Sequence, residues 1–354
     1  MSYSAEEPGT PRIEIGGRVL VCPGGHAPKV VRLGDDHLLI AARTGLTGVA
    51  DNSSVSLVES RDGGGTWTRP RTIIDSRADE RVQMMSRLPG GALLLGFTRR
   101  SNGACKGMLM TSPDEGRNWD HPFQLGPGPF DYVYPFGGVT ALPDGELLLT
   151  AYGGYYPVYE HGDKPRERKG DFTCFFRSRD GDRWEYGGLI ARFTTQPHLL
   201  RLSSGVLLAS LRSAELAEAM TYEESLKTPL ARTLVSESRD EGRIWSRLRQ
   251  VTDAAEMQGF LLESSWGELV MTYSVRHKPY GVSIRTSRDQ GKSWGPPVAL
   301  ADDAPATDVG LSQTLETEPG KFLTLYHWED RSTPRREANL FGIFWRMNPP
   351  SGRS

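Results

Sequence analysis

One eight-residue pattern, Ser-x-Asp-x-Gly-x-x-Trp, recurs along the chain and constrains its fold more than any other feature. It reads Ser112-Asp114-Gly116-Trp119, then Ser238-Asp240-Gly242-Trp245, then Ser287-Asp289-Gly291-Trp294. A further copy, Ser60-Asp62-Gly65-Trp67, carries one extra glycine, so that Gly64 also occupies the pattern's glycine position, and a shortened copy reads Ser178-Asp180-Gly181-Trp184. The successive aspartates Asp62, Asp114, Asp180, Asp240 and Asp289 lie 52, 66, 60 and 49 residues apart. Each interval is the length of one small four-stranded sheet, and self-similarity at such a period marks a repeat architecture. The motif is turn chemistry: Asp accepts hydrogen bonds from turn amides, Gly takes a positive φ, and Trp packs on the neighbouring sheet. These aspartates are therefore structural and not catalytic.

Between the turns a second rhythm returns, two apolar runs joined by a short polar turn. Lys29 to Leu33 with Leu38 to Ala42, and Leu199 to Leu202 with Val206 to Ser210, are examples. Equivalent pairs run from Met84 to Phe97, Gly138 to Ala151, Phe260 to Tyr273 and Thr314 to Tyr326. These read as hairpins, and six of them give an all-β chain folded as a six-bladed β-propeller. The sixth unit lacks the turn motif and offers Leu340 to Trp345 as its third strand. Arg12 to Val21 is expected to supply the fourth, closing the ring and removing free sheet edges. The expected organisation is a disordered tail at 1–11, one domain at 12–348 and a second tail at 349–354. The 40 glycines and 24 prolines fit many turns and few helices.

Charge excludes some partners. Forty-two basic against 44 acidic residues leave a net charge of −2, with no basic footprint for nucleic acid or an anionic membrane surface. No apolar run is long enough to span a bilayer. The polar, acidic start of the chain lacks the regions of a signal peptide, and a cytoplasmic location is expected. Cys22, Cys105 and Cys174 form no metal-binding or disulfide pattern. The seven histidines are scattered in sequence, so no metal and no cofactor is expected. Gly291-Lys292-Ser293 has no phosphate-loop context, since Thr286 stands where the loop's first glycine is required.

From Val19 to Arg346 the chain resembles the Asp-box family of sialidase-like propellers, on the strength of these turns. The stretch Gly25-His26-Ala27-Pro28 with Val30-Val31-Arg32-Leu33, then Arg43 and Asp51, is similar to its predicted-neuraminidase branch. The resemblance implies a substrate carboxylate held by three arginines, a tyrosine nucleophile assisted by a glutamate, and an aspartic acid as proton donor. Arg212 matches one arginine and Asp51 matches the acid. Elsewhere the chain departs: His26 stands where an arginine is expected, Gln196 where a glutamate is, and Tyr280 near a third arginine with Arg276 the nearest substitute. Leu311 falls near the tyrosine, and His327 on the glutamate that ends the following hairpin.

In this fold the substrate face gathers the starts of first strands and the ends of second strands, opposite the motif turns. By position that face collects His26, Arg43, Asp51, Arg99, Asp131, Tyr132, Tyr134 and Tyr152 from the first three blades. The last three add Gln196, His198, Arg212, Tyr273, Arg276, Asp308, His327 and Glu329. Asp51, His26 and His327 are the catalytic candidates, being groups able to move protons. Arg43, Arg99, Arg212 and Arg276 offer guanidinium groups that hold a carboxylate bidentately. Tyr132 and Tyr134 present rings for a sugar, and Gln196 and Asp308 present hydrogen bonds. His26 also has the plainer reading of an imidazole hydrogen-bonded in the central channel, and the tyrosines that of packing around the axis. Two insertions, 153–170 and 214–232, the latter with a helix-forming composition at 214–226, would rise above this face as pocket walls or as surface decoration. Three functions stay open: a hydrolase removing a terminal, acidic sugar; a lyase or other non-hydrolytic enzyme using histidine or tyrosine; and a binding propeller. The partner in each case is a small molecule or glycan.

Overall fold

Alternation of buried aliphatic and polar residues drives each hairpin into a sheet, and the sheets come in equal units. The computed structural model describes residues 12–45, 53–76, 78–101, 104–155, 171–214, 230–330 and 337–349. Among them are six four-stranded antiparallel sheets. Their innermost strands are His26–Arg32, Asp79–Arg87, Tyr132–Ala141, Thr194–Arg201, Glu256–Glu263 and Asp308–Glu318. The second strands are Leu38–Thr44, Leu93–Ser101, Leu147–Gly154, Leu207–Ser213, Leu269–Val275 and Lys321–Asp330. In the last blade Ile13–Pro23 pairs with Glu337–Met347, so the N-terminal strand closes the ring of this six-bladed propeller as the sequence predicts. Glu337–Met347 extends past its expected limits at both ends, and Ile13–Pro23 starts one residue later than expected and ends two residues later. Residues 1–11, 350–354 and Asp51 lie outside the described residues, as does most of each insertion, including 214–226 almost entirely. No helix among the described residues is long and apolar enough to cross a membrane.

Six clusters of buried side chains sit between neighbouring blades. Leu39, Leu57, Met85 and Phe97 join the first two blades, and Leu323, Leu325, Ile40 and Val58 join the last to the first. Burial of such surface at about 25 cal/mol per Å² is the force that holds blade to blade.

The motif turns share one backbone geometry, and in four of the five the indole donates to the motif glycine's carbonyl. In the first, Ser60 Oγ donates to Asp62 and accepts from the Gly64 amide, Asp62 accepts from the Thr66 amide at 2.9 Å, and the Trp67 indole donates to the Gly64 carbonyl at 2.9 Å. Gly64, at φ 101°, is therefore the motif glycine, and Gly65 takes the place that Arg117 holds in the second turn. An added Cβ on Gly64 would stand 2.5 Å from Leu323 Cδ2, which is why the position stays bare. Donors from Thr66 draw Asp62 down to about 2, the state of an acceptor and not of a proton donor. The motif tryptophans are only partly buried: one face packs on the core while the rest stays in water.

Each innermost strand carries an irregularity at the same height. Register slips between His26 and Lys29, Val82 and Met84, Pro135 and Val139, Thr195 and His198, Met257 and Phe260, and Gly310 and Gln313. Within these bulges Ala27, Gln196, Gln258 and Leu311 adopt positive φ of 54°, 49°, 65° and 46°. Left-handed backbone at non-glycine residues costs of order 1–3 kcal/mol each and gathers at functional sites. The bulges ring the propeller axis and re-aim side chains toward it.

Candidate active site

The first strand of blade one starts at His26, and the second strand of blade six ends past His327. Ring geometry makes those blades neighbours. The two imidazoles, 301 positions apart in sequence, meet with ring centroids 3.7 Å apart. Between them lies Asp308, at the start of the first strand of blade six: its oxygens are 3.9 Å from His26 Nε2 and 3.8 Å from His327 Nε2. Arg276 approaches the same carboxylate at 3.5 Å, and Glu329 lies 3.8 Å from His26. His327 is fully buried, and neither of its ring nitrogens has a hydrogen-bond partner among the described residues.

Electrostatics set the protonation states. Burial, reinforced by the neighbouring His327, draws His26 down to about 3, and burial also lowers His327. Burial alone would raise Asp308, but contacts with His26 and His327 and the charge of Arg276 outweigh it and hold the carboxyl well below its usual range. At neutral pH the centre is thus an ionised carboxylate flanked by two neutral imidazoles. His26, Asp308 and His327 each bring one ligand-type atom within 4.8 Å of the others. Their 3.8–3.9 Å spacings exceed both the ~3.4 Å between ligands that tetrahedral zinc bonds of about 2.0–2.1 Å impose and the roughly 2.6–3.2 Å of a direct hydrogen bond, so a metal would need the ligands to close in, and a proton would pass by way of one water.

The predicted arginine clamp takes a different form. Arg43, 6% exposed, donates to Asp79 Oδ1 at 2.7 Å, and Ser53 donates to the same oxygen at 2.6 Å, while Arg81 binds the other oxygen at 2.8 Å. Arg99 is paired with buried Glu80 at 2.7 Å. Arg43 and Arg99 are thus each paired with a carboxylate of blade two. Asp79, Glu80 and Arg81 were missed by the sequence reading, although they occupy the start of a first strand, the position that singled out His26 and Asp308.

Arg212 donates to the side-chain oxygen of Gln196 at 3.2 Å, and Gln258 donates to the same oxygen at 2.7 Å. Blade three supplies an aromatic group: Tyr132 stacks on Tyr134 with centroids 5.2 Å apart, and Tyr134 meets Tyr152 edge-on at 5.5 Å. The Tyr132 hydroxyl donates to Asp171 at 2.7 Å. Burial raises Tyr152, whose hydroxyl also feels the charges of Arg212 and Arg81, placing blades two, three and four around one space. Tyr273 does not belong to this face. It is fully buried in the core between blades four and five, where burial pushes it up to about 12.

Comparison with known proteins agrees with this architecture. A protein of unknown function from Dyadobacter fermentans superposes with a TM-score of 0.76 at 18% identity, over 95% of this chain and 99% of that one. A Hadza microbial sialidase gives 0.64 at 16% identity, over 90% of this chain and 65% of that one. The NanB sialidase of Streptococcus pneumoniae gives 0.64 at 12%, over 91% and 68%. The chain thus spans about two thirds of the length of those two sialidases, and at these identities the likeness is one of fold. No curated protein matches the chain. A family model described as a BNR repeat-like domain matches residues 36–323. Since that match runs from the first blade into the last and takes in all five motif turns, the chain belongs to the sialidase-like family of BNR repeat propellers.

Proposed function

We propose that the chain is a carbohydrate-active enzyme that hydrolyses the bond to a terminal, acidic sugar, with His26, Asp308 and His327 as its proton-handling centre. The observation that carries this reading is the convergence of two neutral imidazoles on one ionised carboxylate, beside the guanidinium of Arg276. A neutral imidazole oriented by a carboxylate is the arrangement of a general base. The negative charge of Asp308 would also favour the positive, oxocarbenium-like transition state of glycoside cleavage. Arg212 and Arg276 face the acidic group of the sugar, and Asp51 is the expected proton donor to the leaving oxygen. Tyr132 and Tyr134 offer ring faces to the substrate.

Elimination is the second reading, favoured by one observation: Leu311 stands near the nucleophile's place and His327 stands in its partner's, leaving bases without a covalent nucleophile. The test is to incubate the protein with a panel of sialosides and uronosides and identify products by mass. Addition of water across the cleaved bond supports the hydrolase. A product carrying a new double bond supports the lyase. A folded protein that turns over none of them refutes both.

A further inference from the structure

Beneath the open face a narrow cleft, partly open to solvent, follows the propeller axis between the bulges. Lys29, the third residue after His26, lines it together with Gln196, His198, Gln258 and Gln313. No carboxylate lines this cleft. Lys29 is 3% exposed, and among the described residues its ammonium contacts the face of Phe136, 5.0 Å from the centroid, and no carboxylate or hydrogen-bond acceptor. A buried ammonium without an anion is costly.

The neighbours of Lys29 are oriented by their other bonds. Gln196 uses its oxygen to accept from Arg212 and Gln258, and Gln313 uses its oxygen to accept from the Val30 amide at 2.7 Å. Their NH₂ groups are what remain. His198 accepts from the Leu261 amide through Nδ1 at 3.2 Å, so the neutral ring carries its proton on Nε2. Buried Ser312, also lining the cleft, has a hydroxyl without a partner among the described residues. Burial draws Lys29 down to about 8, leaving it mostly cationic at neutral pH, while burial and the charge of Lys29 bring His198 down to about 3. The glutamine oxygens and the His198 Nδ1 of this lining are already accepting hydrogen bonds, and their N–H donors are left over.

We propose that the axial cleft binds one anionic group, a carboxylate or a sulfate-type oxyanion, between the Lys29 ammonium and the N–H donors of His198, Gln196 and Gln313. The cleft is narrow, so the ligand is a small anion or the acidic end of a larger one. This inference does not depend on the reaction proposed above, because its readout is binding.

Titration calorimetry at pH 7 in a weakly coordinating buffer uses sulfate and acetate as probes of a free ion, and N-acetylneuraminate and glucuronate as probes of a sugar acid. Saturable binding is expected, weakened at least tenfold in Lys29→Met. Gln313→Glu keeps the acceptor that the Val30 amide needs but replaces the donor with negative charge, and is expected to weaken binding as much; circular dichroism and melting check that each variant is folded. Sugar acids binding at least tenfold tighter than acetate would identify the anion as part of the sugar, whereas equal affinities would identify a free-ion site; both support an anion site. No saturable binding of any probe, or wild-type affinity in both folded variants, overturns it.

Discussion

Replacing Lys29 with methionine removes the buried positive charge while keeping an unbranched side chain of similar length, so packing changes little. Burial displaces the Lys29 pKa from 10.5 to about 8, which corresponds to about 3 kcal/mol against the ammonium in the folded protein. Because the unfolded chain holds this proton over the interval and the folded one does not, stability rises with pH between about 8 and 10.5. The cost is present in full below pH 8 and gone above 10.5. In anion-free buffer at pH 7, Lys29→Met should be more stable than the wild type by about 3 kcal/mol, a rise of several degrees in Tm. The advantage should shrink through pH 9 and vanish near pH 10.5, because the wild type recovers while the variant has nothing to titrate at this site. Denaturant titrations of both proteins at pH 7, 9 and 10.5 measure this directly, and saturating sulfate should close the gap at pH 7 by stabilising only the wild type. A methionine variant no more stable than the wild type at pH 7, or a difference that does not change with pH, would refute the reasoning.

Asp308→Asn and His26→Ala should each lower kcat by about 10²–10⁴-fold on any acidic glycoside that the wild type turns over, with Tm retained; steady-state kinetics showing wild-type kcat in both would remove them from the reaction. Arg43→Met strips one of the donors of Asp79, which is 1% exposed, and should lower stability by about 3 kcal/mol, whereas Arg43→Met combined with Asp79→Leu should recover most of that loss in a double-mutant cycle. Trp119→Ala should lower stability by about 2 kcal/mol, less than a fully buried tryptophan would because part of its ring faces water, and leave kcat/KM at 25 °C unchanged; a larger loss measured by chemical denaturation would mean the turn itself had opened.

The propeller was legible because its signal is local. Ser112, Asp114, Gly116 and Trp119 satisfy one another within eight residues, so sequence alone specifies the turn, and five copies specify the ring. The site was legible where position in the blade decides the outcome: His26, Asp308, Arg276 and His327 were chosen by strand ends and do meet. What escaped depends on neighbours from another blade. Arg43 and Arg99 read as free clamps until Asp79 and Glu80 are brought beside them. Lys29 read only as the first residue of an apolar hairpin. The bulge between His26 and Lys29 breaks the alternation of faces that a regular strand would keep, and a break of that kind leaves no mark in the period of the sequence.

Ring closure also governs how the molecule can form. Ile13 lies opposite Met347, so the first strand of the chain finds its partner only when the last strand has been made. During synthesis, at about 5–20 residues per second, blades one to five can assemble in order while Ile13–Pro23 waits with neither edge paired. The final step joins the two most distant parts of the chain, the kind of contact that slows folding. Until then, the exposed edge is where a second chain could pair by mistake.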